Sequence, residues 1–354
     1  MASTYLTLTN NVLRDFNEVE LTSSNFGSSH GVQTVVKDYI NRSITDILNS
    51  EMNWPFTRAE GSVDVIAGKQ LYSHASIAST LKYVDYDNMF LKPKDYITNG
   101  NFEIAGTASI TNWTTVSGSP AASSKFGNTL LLTSAEASQE VSDLIVGRSY
   151  VIITQTSGAT LTLEVGTSSG GSQTKSSTLT ISSGNEVLLS ETTFTATATT
   201  HYVSFTEAAG SAAFVKLVEL SEDVASIPLK YLSYEEYNES FRERDSRPDT
   251  DKFADPEYVY TTYNDEIGLT PIPDTSNRTL EFDYYVSHTD LSGATDTSII
   301  PTRFEPVINS RAKYYTHIFR SDVQSAQFSL KEYDDGIKRM RVELLNRKNY
   351  MRAV

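Results

Sequence analysis

A sharp change of composition inside the chain limits its fold more than any other feature of the sequence. In the 125 residues from Thr98 to Glu222, about one third of the side chains are Ser or Thr, and ten acidic residues stand against four basic ones. The other 229 residues, on both sides, are rich in Tyr and Arg and contain the helical patterns. We therefore predict a host domain of residues 1–97 and 223–354, interrupted by an inserted domain of residues 98–222.

Short apolar and β-branched runs predict an all-β fold for the Ser/Thr-rich segment (residues 98–222). Turn sequences such as Ser168-Ser169-Gly170-Gly171 separate the runs. Strands spaced in this way over such a length are typical of a jelly-roll-like sandwich. A disordered Ser/Thr linker is the alternative, and the regular apolar runs disfavour it. The predicted strands are 130–132, 150–154, 161–165, 187–189, 202–205 and 214–220.

Four apolar periodicities predict helices in the host domain. The clearest covers residues 32–48, with apolar side chains at helical spacing, and ends before Pro55. An earlier segment is predicted to start at Thr9, which can cap it. Two more follow Pro301, and the last has a heptad-like apolar seam over residues 323–344 that needs a partner helix. Gly336 interrupts that seam and lowers its helix propensity.

Between these helices the sequence predicts strands, so the expected fold class is α+β. Residues 62–65 and 70–72 flank Ala67-Gly68 and are predicted to form a hairpin. Further strands are predicted at 81–86, 228–234, 258–263 and 280–286.

The composition excludes several classes of function. The 354 residues include no Cys, which excludes disulfides, thiolate metal sites and a cysteine nucleophile. The five His residues are far apart, and no phosphate-cradling loop, dinucleotide fingerprint or nucleophile elbow occurs. Acidic stretches such as Asp85-Tyr86-Asp87 and Asp249-Thr250-Asp251 are interpreted as solvated loops rather than cation or carboxylate-pair sites. We predict no catalytic residues, no metal, no cofactor and no enzymatic activity.

Nothing in the sequence indicates a membrane protein. No apolar run approaches the roughly 18 residues of a membrane span. The first ten residues lack the basic-then-apolar pattern of a secretory signal. We therefore expect no membrane association.

The end of the chain carries a basic cluster in an otherwise acidic protein. The net charge of the chain is −15, yet residues 338–354 contain six bases and one acid, Glu343. One interpretation is a solvated helix end, where cations are favourable. The other is an arm that docks onto an acidic protein surface or onto nucleic acid. The candidate site residues are Lys338, Arg339, Arg341, Arg347, Lys348 and Arg352.

The host segments resemble the head-to-tail adaptors of short-tailed bacteriophages, the family that includes tail tubular protein A. The resemblance implies a homo-oligomeric ring, typically of twelve subunits, between the portal protein and the tail nozzle protein of the virion. It also implies synthesis in the cytoplasm of the host cell and a C-terminal arm that reaches into the portal. Double-stranded DNA would pass through the ring without sequence-specific binding, and an acidic body suits such a channel. The similar pieces are 6–14, 17–19, 31–48, Trp54-Pro55-Phe56, 228–237, 256–260, 267–274, 279–285, 289–291 and Ile300-Pro301-Thr302-Arg303-Phe304.

The Ser/Thr-rich segment is similar to the sandwiches of carbohydrate-binding modules. The similarity rests on Thr98-Asn99-Gly100-Asn101-Phe102-Glu103, on Asn112-Trp113, on residues between 139 and 150, and on the closing run 214–220. Trp113 and Tyr202 could stack on a sugar ring, although buried core positions are the favoured interpretation. The alternatives to an adaptor are therefore a glycan- or receptor-binding virion protein and a carbohydrate-active enzyme. The missing active site disfavours the enzyme.

Overall fold

A computed structural model of the protein describes residues 3–180, 187–247 and 252–345. Over these residues the chain forms seven α-helices and twenty β-strands. The helices are α1 (Tyr5–Asp15), α2 (Val32–Asn49), α3 (His74–Ile77), α4 (Tyr234–Ser240), α5 (Arg242–Asp245), α6 (Glu305–Phe319) and α7 (Val323–Leu344). The strands are β1 (Arg58–Asp64), β2 (Leu71–Ser73), β3 (Leu81–Pro93), β4 (Glu103–Ile104), β5 (Thr107–Ala108), β6 (Thr114–Ser117), β7 (Ala121–Ser123), β8 (Thr129–Leu132), β9 (Ala135–Val141), β10 (Ser149–Gly158), β11 (Leu161–Gly166), β12 (Lys175–Leu179), β13 (Leu188–Thr195), β14 (His201–Glu207), β15 (Ala213–Glu222), β16 (Ile227–Pro228), β17 (Lys230–Leu232), β18 (Tyr258–Thr261), β19 (Glu266–Thr270) and β20 (Arg278–Val286).

Helices from the two ends of the chain form one bundle. Helix α6 contacts α1, α2 and α7, so it lies at the centre of the bundle. The apolar stripes face a shared core that includes Val36, Ile40, Ile308 and Ile337. Helices α2, α6 and α7 lie where the apolar periodicities predict them.

The predicted start of the first helix at Thr9 is wrong. The helix begins at Tyr5, and the Thr4 side chain caps it by accepting a hydrogen bond from the Thr7 N–H at 3.2 Å. Thr9 is buried within the helix and its hydroxyl donates to the Tyr5 carbonyl at 2.8 Å. The helix extends to Tyr5 because the side chains of Tyr5 and Leu8 join the bundle core.

The strands of the host domain form two four-stranded sheets, and the predicted hairpin at Ala67-Gly68 is wrong. The sheets have the strand orders β1-β20-β3-β16 and β17-β18-β19-β2. Strand β1 pairs with β20 and strand β2 pairs with β19, so the two predicted hairpin arms lie in different sheets. Both arms find distant partners because the two sheets share one core, which includes Val65, Tyr72 and Leu269.

The Ser/Thr-rich segment forms two five-stranded antiparallel sheets around a core of its own. Their strand orders are β13-β10-β15-β8-β7 and β12-β11-β14-β9-β6, and one core cluster takes side chains from both sheets. The six predicted strands overlap β8, β10, β11, β13, β14 and β15. Strands β9 and β12 escaped prediction because their sequences, AEASQEV and KSSTL, are largely polar. The fold is α+β, whereas the domain boundaries at residues 98 and 222 stay a prediction.

Buried polar contacts join the two ends of the Ser/Thr-rich segment to each other and to the sheets of the host domain. The Asp95 Oδ1 atom accepts hydrogen bonds from the Ile97 and Leu220 N–H groups at 2.9 and 3.0 Å. The carboxylate of buried Glu222 accepts from Arg148 at 2.6 Å and also from the Asn277 side-chain amide. The segment therefore leaves and re-enters the host sheets at one place.

Candidate functional site

The α6–α7 pair sets the position of the predicted basic cluster. The Asp322 side chain begins α7 by accepting from the Ser325 N–H at 3.1 Å. Buried seam residues such as Tyr333 and Met340 face the bundle core. Gly336 allows a close approach to α6, because a Cβ atom there would lie 2.7 Å from Val307 Cγ2. The glycine that lowered the predicted helix propensity is thus a packing requirement.

Lys338 and Arg339 stand on the solvent side of α7. Lys338 Nζ lies 3.2 Å from Asp335 Oδ1, and Arg339 Nε lies 2.7 Å from Glu343 Oε1. Their side chains are 70% and 73% exposed. Exposed ion pairs of this kind contribute about 0–1 kcal/mol, so a partner protein can exchange them at little cost.

Arg341 has a different environment from its two neighbours. Its guanidinium Nε lies 2.6 Å from Glu51 Oε1, and an N–H of the same group donates to the Ser50 carbonyl at 3.1 Å. Ser50 caps the C-terminus of α2, where carbonyl groups lack partners within the helix. Arg341 is one-third exposed and ties the end of α7 to the end of α2.

The other three candidate bases, Arg347, Lys348 and Arg352, lie outside the described residues. Lys338, Arg339 and Arg341 each face an acid, so they contribute little uncompensated charge. By sequence alone, residues 346–354 add three bases and no acid. The uncompensated positive charge of the cluster therefore belongs to these last nine residues.

Apolar side chains are exposed along α7 and at the α6–α7 turn. Phe328 and Val342 lie on the outer side of α7, and Ile318, Phe319 and Val323 lie around the α6–α7 turn. The apolar periodicity placed Ile318, Phe319 and Val323 on packing faces, and the structure leaves them exposed. Phe328 and Val342 lie off that periodicity, and sequence reasoning missed them. Exposed apolar groups close together mark surfaces for protein contacts.

The two aromatic candidates of the Ser/Thr-rich segment are not brought together. Trp113 is buried in the core between Phe102 and Phe205, with ring centroids 5.4 and 5.8 Å away. Tyr202 is half-buried on β14, and its hydroxyl donates to Glu140 Oε2 at 2.8 Å. Trp113 is a core residue, as the favoured interpretation had it.

A groove lined by several polar residues lies elsewhere on the same segment, and sequence reasoning missed it. Its volume is about 460 Å³, and its lining includes Asn101, Glu103, Asn128, Gln155 and Lys216. The Asn128 amide donates to Glu103 Oε2 at 2.8 Å. These residues come from four separate parts of the chain, so no local motif could reveal the groove.

Neither a membrane-spanning helix nor a large metal-binding cluster appears in the described part of the chain. No helix within residues 3–180, 187–247 and 252–345 is both long and apolar enough to cross a membrane. Over the same residues, no group of three or more His, Asp or Glu side chains could hold a metal ion.

Comparison with known proteins gives one family. A family model described as SU10 adaptor protein matches residues 178–354, half of the chain. No curated protein matches the sequence.

Solved structures match about one third of the chain. The carbohydrate-binding module TmCBM61, in complex with β-1,4-galactotriose, is 20% identical; the match covers 37% of this chain and 99% of that chain, with a TM-score of 0.29. The CBM22-1 xylan-binding domain of Paenibacillus barcinonensis Xyn10C is 10% identical over 38% of this chain and 97% of that chain, with a TM-score of 0.28. The enzymatically active domain of tailspike protein 4 from bacteriophage CBA120 is 16% identical over 36% of this chain and 21% of that chain, with a TM-score of 0.29. Scores this low support no conclusion about ligand or activity.

Proposed function

The chain belongs to the SU10 adaptor family, and on that premise we propose that it is the head-to-tail adaptor subunit of a bacteriophage virion. In this role it is a structural protein and not an enzyme. It forms a ring of twelve copies between the portal protein and the tail nozzle protein. The family match over residues 178–354 carries the proposal, because it includes α6, α7 and the basic C-terminus.

Ring formation needs two different, complementary surfaces on each subunit. The outer side of α7, with exposed Phe328 and Val342, supplies one apolar surface. The bundle places this surface at its edge, since α7 packs mainly against α6. The acidic character of the chain supports passage of DNA through the ring, because a basic lumen would hold the phosphates.

Attachment to the portal is assigned to the C-terminal arm. Among the six predicted bases, Arg341 is committed to α2, so the attachment rests on Lys338 and Arg339 together with Arg347, Lys348 and Arg352. Each contact is weak by itself, but twelve copies engaged at once make the attachment strong.

Co-sedimentation with portal rings tests this assignment. We expect the chain truncated after Asn346 to keep its fold, because it retains α7 and the packing of Leu344 and Leu345 on the bundle core, and to lose sedimentation with portal rings. Attachment of the full chain is expected to weaken as salt is raised, because screening acts on exposed charges.

A matched control removes the same number of charges elsewhere. Replacing the exposed Lys82, Lys125 and Lys230 by Ala is expected to leave attachment unchanged. Equal binding by the truncated chain would contradict the role of the arm, and loss of binding in the lysine control would point to a general charge effect.

For the Ser/Thr-rich segment we propose a jelly-roll-like sandwich inserted into the host domain as a decoration of the virion. The second candidate function is glycan or receptor binding through this segment, and the groove of about 460 Å³, with the side chains of Asn101, Asn128 and Gln155 in its lining, favours it. Calorimetry of the full chain with common polysaccharides separates the two. An isotherm that disappears in Gln155→Ala would support the binding function.

A further inference from the structure

The outer face of the sheet β12-β11-β14-β9-β6 carries two carboxylates with hydroxyl groups between them. Alternate residues of a strand share a face, so Glu136 and Ser138 of β9 point the same way. Glu136 is directly opposite Thr206 of β14, and Ser138 is opposite Ser204. Glu164 of β11 faces Ser204 from the other side of β14. The two glutamates thus stand on strands that flank β14 and can converge over it.

A glycine-rich loop covers this face. The loop connects β11 to β12, and its Gly170 N–H donates to Ser204 Oγ at 3.3 Å. Gly170 has a φ of +72°, and a Cβ atom there would lie 2.7 Å from Glu136 Oε1. Glycine is required at this position both by the backbone conformation and by the carboxylate beneath it.

The covered cluster contains oxygen atoms without partners. Glu136 Oε1, Ser138 Oγ and Thr206 Oγ1 are shielded from solvent and make no hydrogen bond to the described part of the chain. Ser138 is only 1% exposed. Buried polar atoms are normally paired, so each of these oxygens calls for a ligand.

The cluster also lacks a counter-charge. No ion pair to Glu136 or Glu164 occurs among residues 3–180, 187–247 and 252–345. A bound water could serve the hydroxyls, but it would leave both negative charges uncompensated.

We propose that Glu136, Glu164, Ser138 and Thr206 form a calcium-binding site beneath the loop that carries Gly170. The donors are all oxygens, which favours a hard cation over zinc or copper. Ca²⁺ accepts six to eight oxygens in irregular geometry, whereas Mg²⁺ demands a near-ideal octahedron that strands cannot readily supply. The ion would neutralise the two glutamates and join strands β9, β11 and β14 beneath the loop, and this role is independent of the adaptor function.

Thermal unfolding of the full chain, first in EGTA and then in millimolar CaCl₂, tests the proposal. Binding to the folded state is expected to raise Tm by about 2–8 °C. Equilibrium dialysis is expected to find one Ca²⁺ per chain. In Glu136→Gln and in Glu164→Gln, both the shift and the bound ion are expected to be lost.

Two comparisons make the test decisive. In EGTA, Glu136→Gln is expected to unfold at the same or a higher temperature than the unchanged protein, because it removes a like-charge contact. Glu191→Gln, an exposed glutamate on β13, is expected to keep the full calcium response. No calcium shift in the unchanged protein, an equal shift with MgCl₂, or one bound Ca²⁺ per chain in both glutamine variants would overturn the proposal.

Discussion

Glu207 illustrates how much one buried side chain organises in this protein. Its carboxylate accepts four backbone hydrogen bonds, from the N–H groups of Ser134, Ala209, Gly210 and Ser211, at 2.7, 2.9, 3.1 and 3.3 Å. Burial by itself raises the pKa of Glu207, but the four N–H donors together outweigh it and hold the pKa below its usual range. One carboxylate therefore fixes two turns of the Ser/Thr-rich segment.

Replacing Glu207 by Gln is expected to lower stability in a pH-dependent way. At pH 7 the free energy of unfolding is expected to fall by about 1–3 kcal/mol, because a neutral amide oxygen accepts weaker hydrogen bonds than a carboxylate does. The NH₂ group of the new side chain would also face backbone N–H donors. A group whose pKa is depressed by folding contributes its stability above the unfolded pKa of about 4.3, and loses it as the pH falls through the folded pKa. The difference in the free energy of unfolding between the unchanged protein and Glu207→Gln is thus expected to narrow below about pH 4.

Urea unfolding at pH 7 and at pH 3.5 measures this gap. Glu191→Gln, at an exposed position on β13, serves as the control and is expected to change stability by less than about 0.5 kcal/mol at either pH. A gap for Glu207→Gln that is independent of pH would contradict the assigned role of the ionised carboxylate.

At the scale of elements, the packing of α7 on the bundle distinguishes the bases that stabilise the fold from the bases that are free to bind a partner. Helix α7 packs on α6 along its seam, and Arg341 adds a contact to the end of α2. Lys338, one turn earlier, makes only an exposed contact with Asp335 of its own helix. Two bases of one cluster thus have unequal roles in the fold.

We expect Arg341→Ala to lower the free energy of unfolding by about 1–2 kcal/mol, because the Ser50 carbonyl and Glu51 lose a charged partner. Lys338→Ala is expected to change it by less than about 0.5 kcal/mol. The two changes have similar effects on helix propensity, so urea unfolding compares the tertiary contacts directly. Equal losses in the two variants would show that the contact with α2 adds nothing.

At the scale of the whole molecule, the Ser/Thr-rich segment is joined to the rest at one narrow place. The Tyr96 N–H donates to the Leu220 carbonyl at 2.8 Å, and Asp95 accepts from the Leu220 N–H. Strands β6 to β15 pair among themselves, and β3 and β16 continue the host sheet on either side. Removal of the segment therefore leaves no large gap to bridge.

We predict that replacing residues 98–222 with a short Gly/Ser linker leaves a host domain that unfolds cooperatively. Circular dichroism is expected to retain the helical signal, and size exclusion is expected to show a smaller, compact species. As a contrast, replacing only residues 98–158 removes β9 and β10, the pairing partners of strands that remain in the chain. This partial replacement is expected to yield an aggregating chain. Loss of the cooperative transition after the full replacement would contradict the two-domain division.

Much of the fold could be predicted because the signals are local. The periodicity of residues 32–48 and the seam of residues 323–344 reflect which side of a helix faces a core, and this follows from the 3.6-residue repeat alone. The α+β class, the change of composition at residues 98 and 222, and the basic end of the chain were likewise readable from residue order. Polar strands such as β9 escaped because their inward positions carry small or polar side chains, Ala135, Ala137 and Gln139, in place of large apolar ones.

Only the tertiary structure decided which side chains meet. Strand β1 pairs with a strand more than 200 residues away instead of its neighbour β2, because a shared core outweighs a short loop. Arg341 turned out to be bound to α2 while Lys338 was left exposed, although the sequence treats the two alike. The glutamates Glu136 and Glu164 came together only through strand order, since a pairing energy between distant residues leaves no mark on the local sequence.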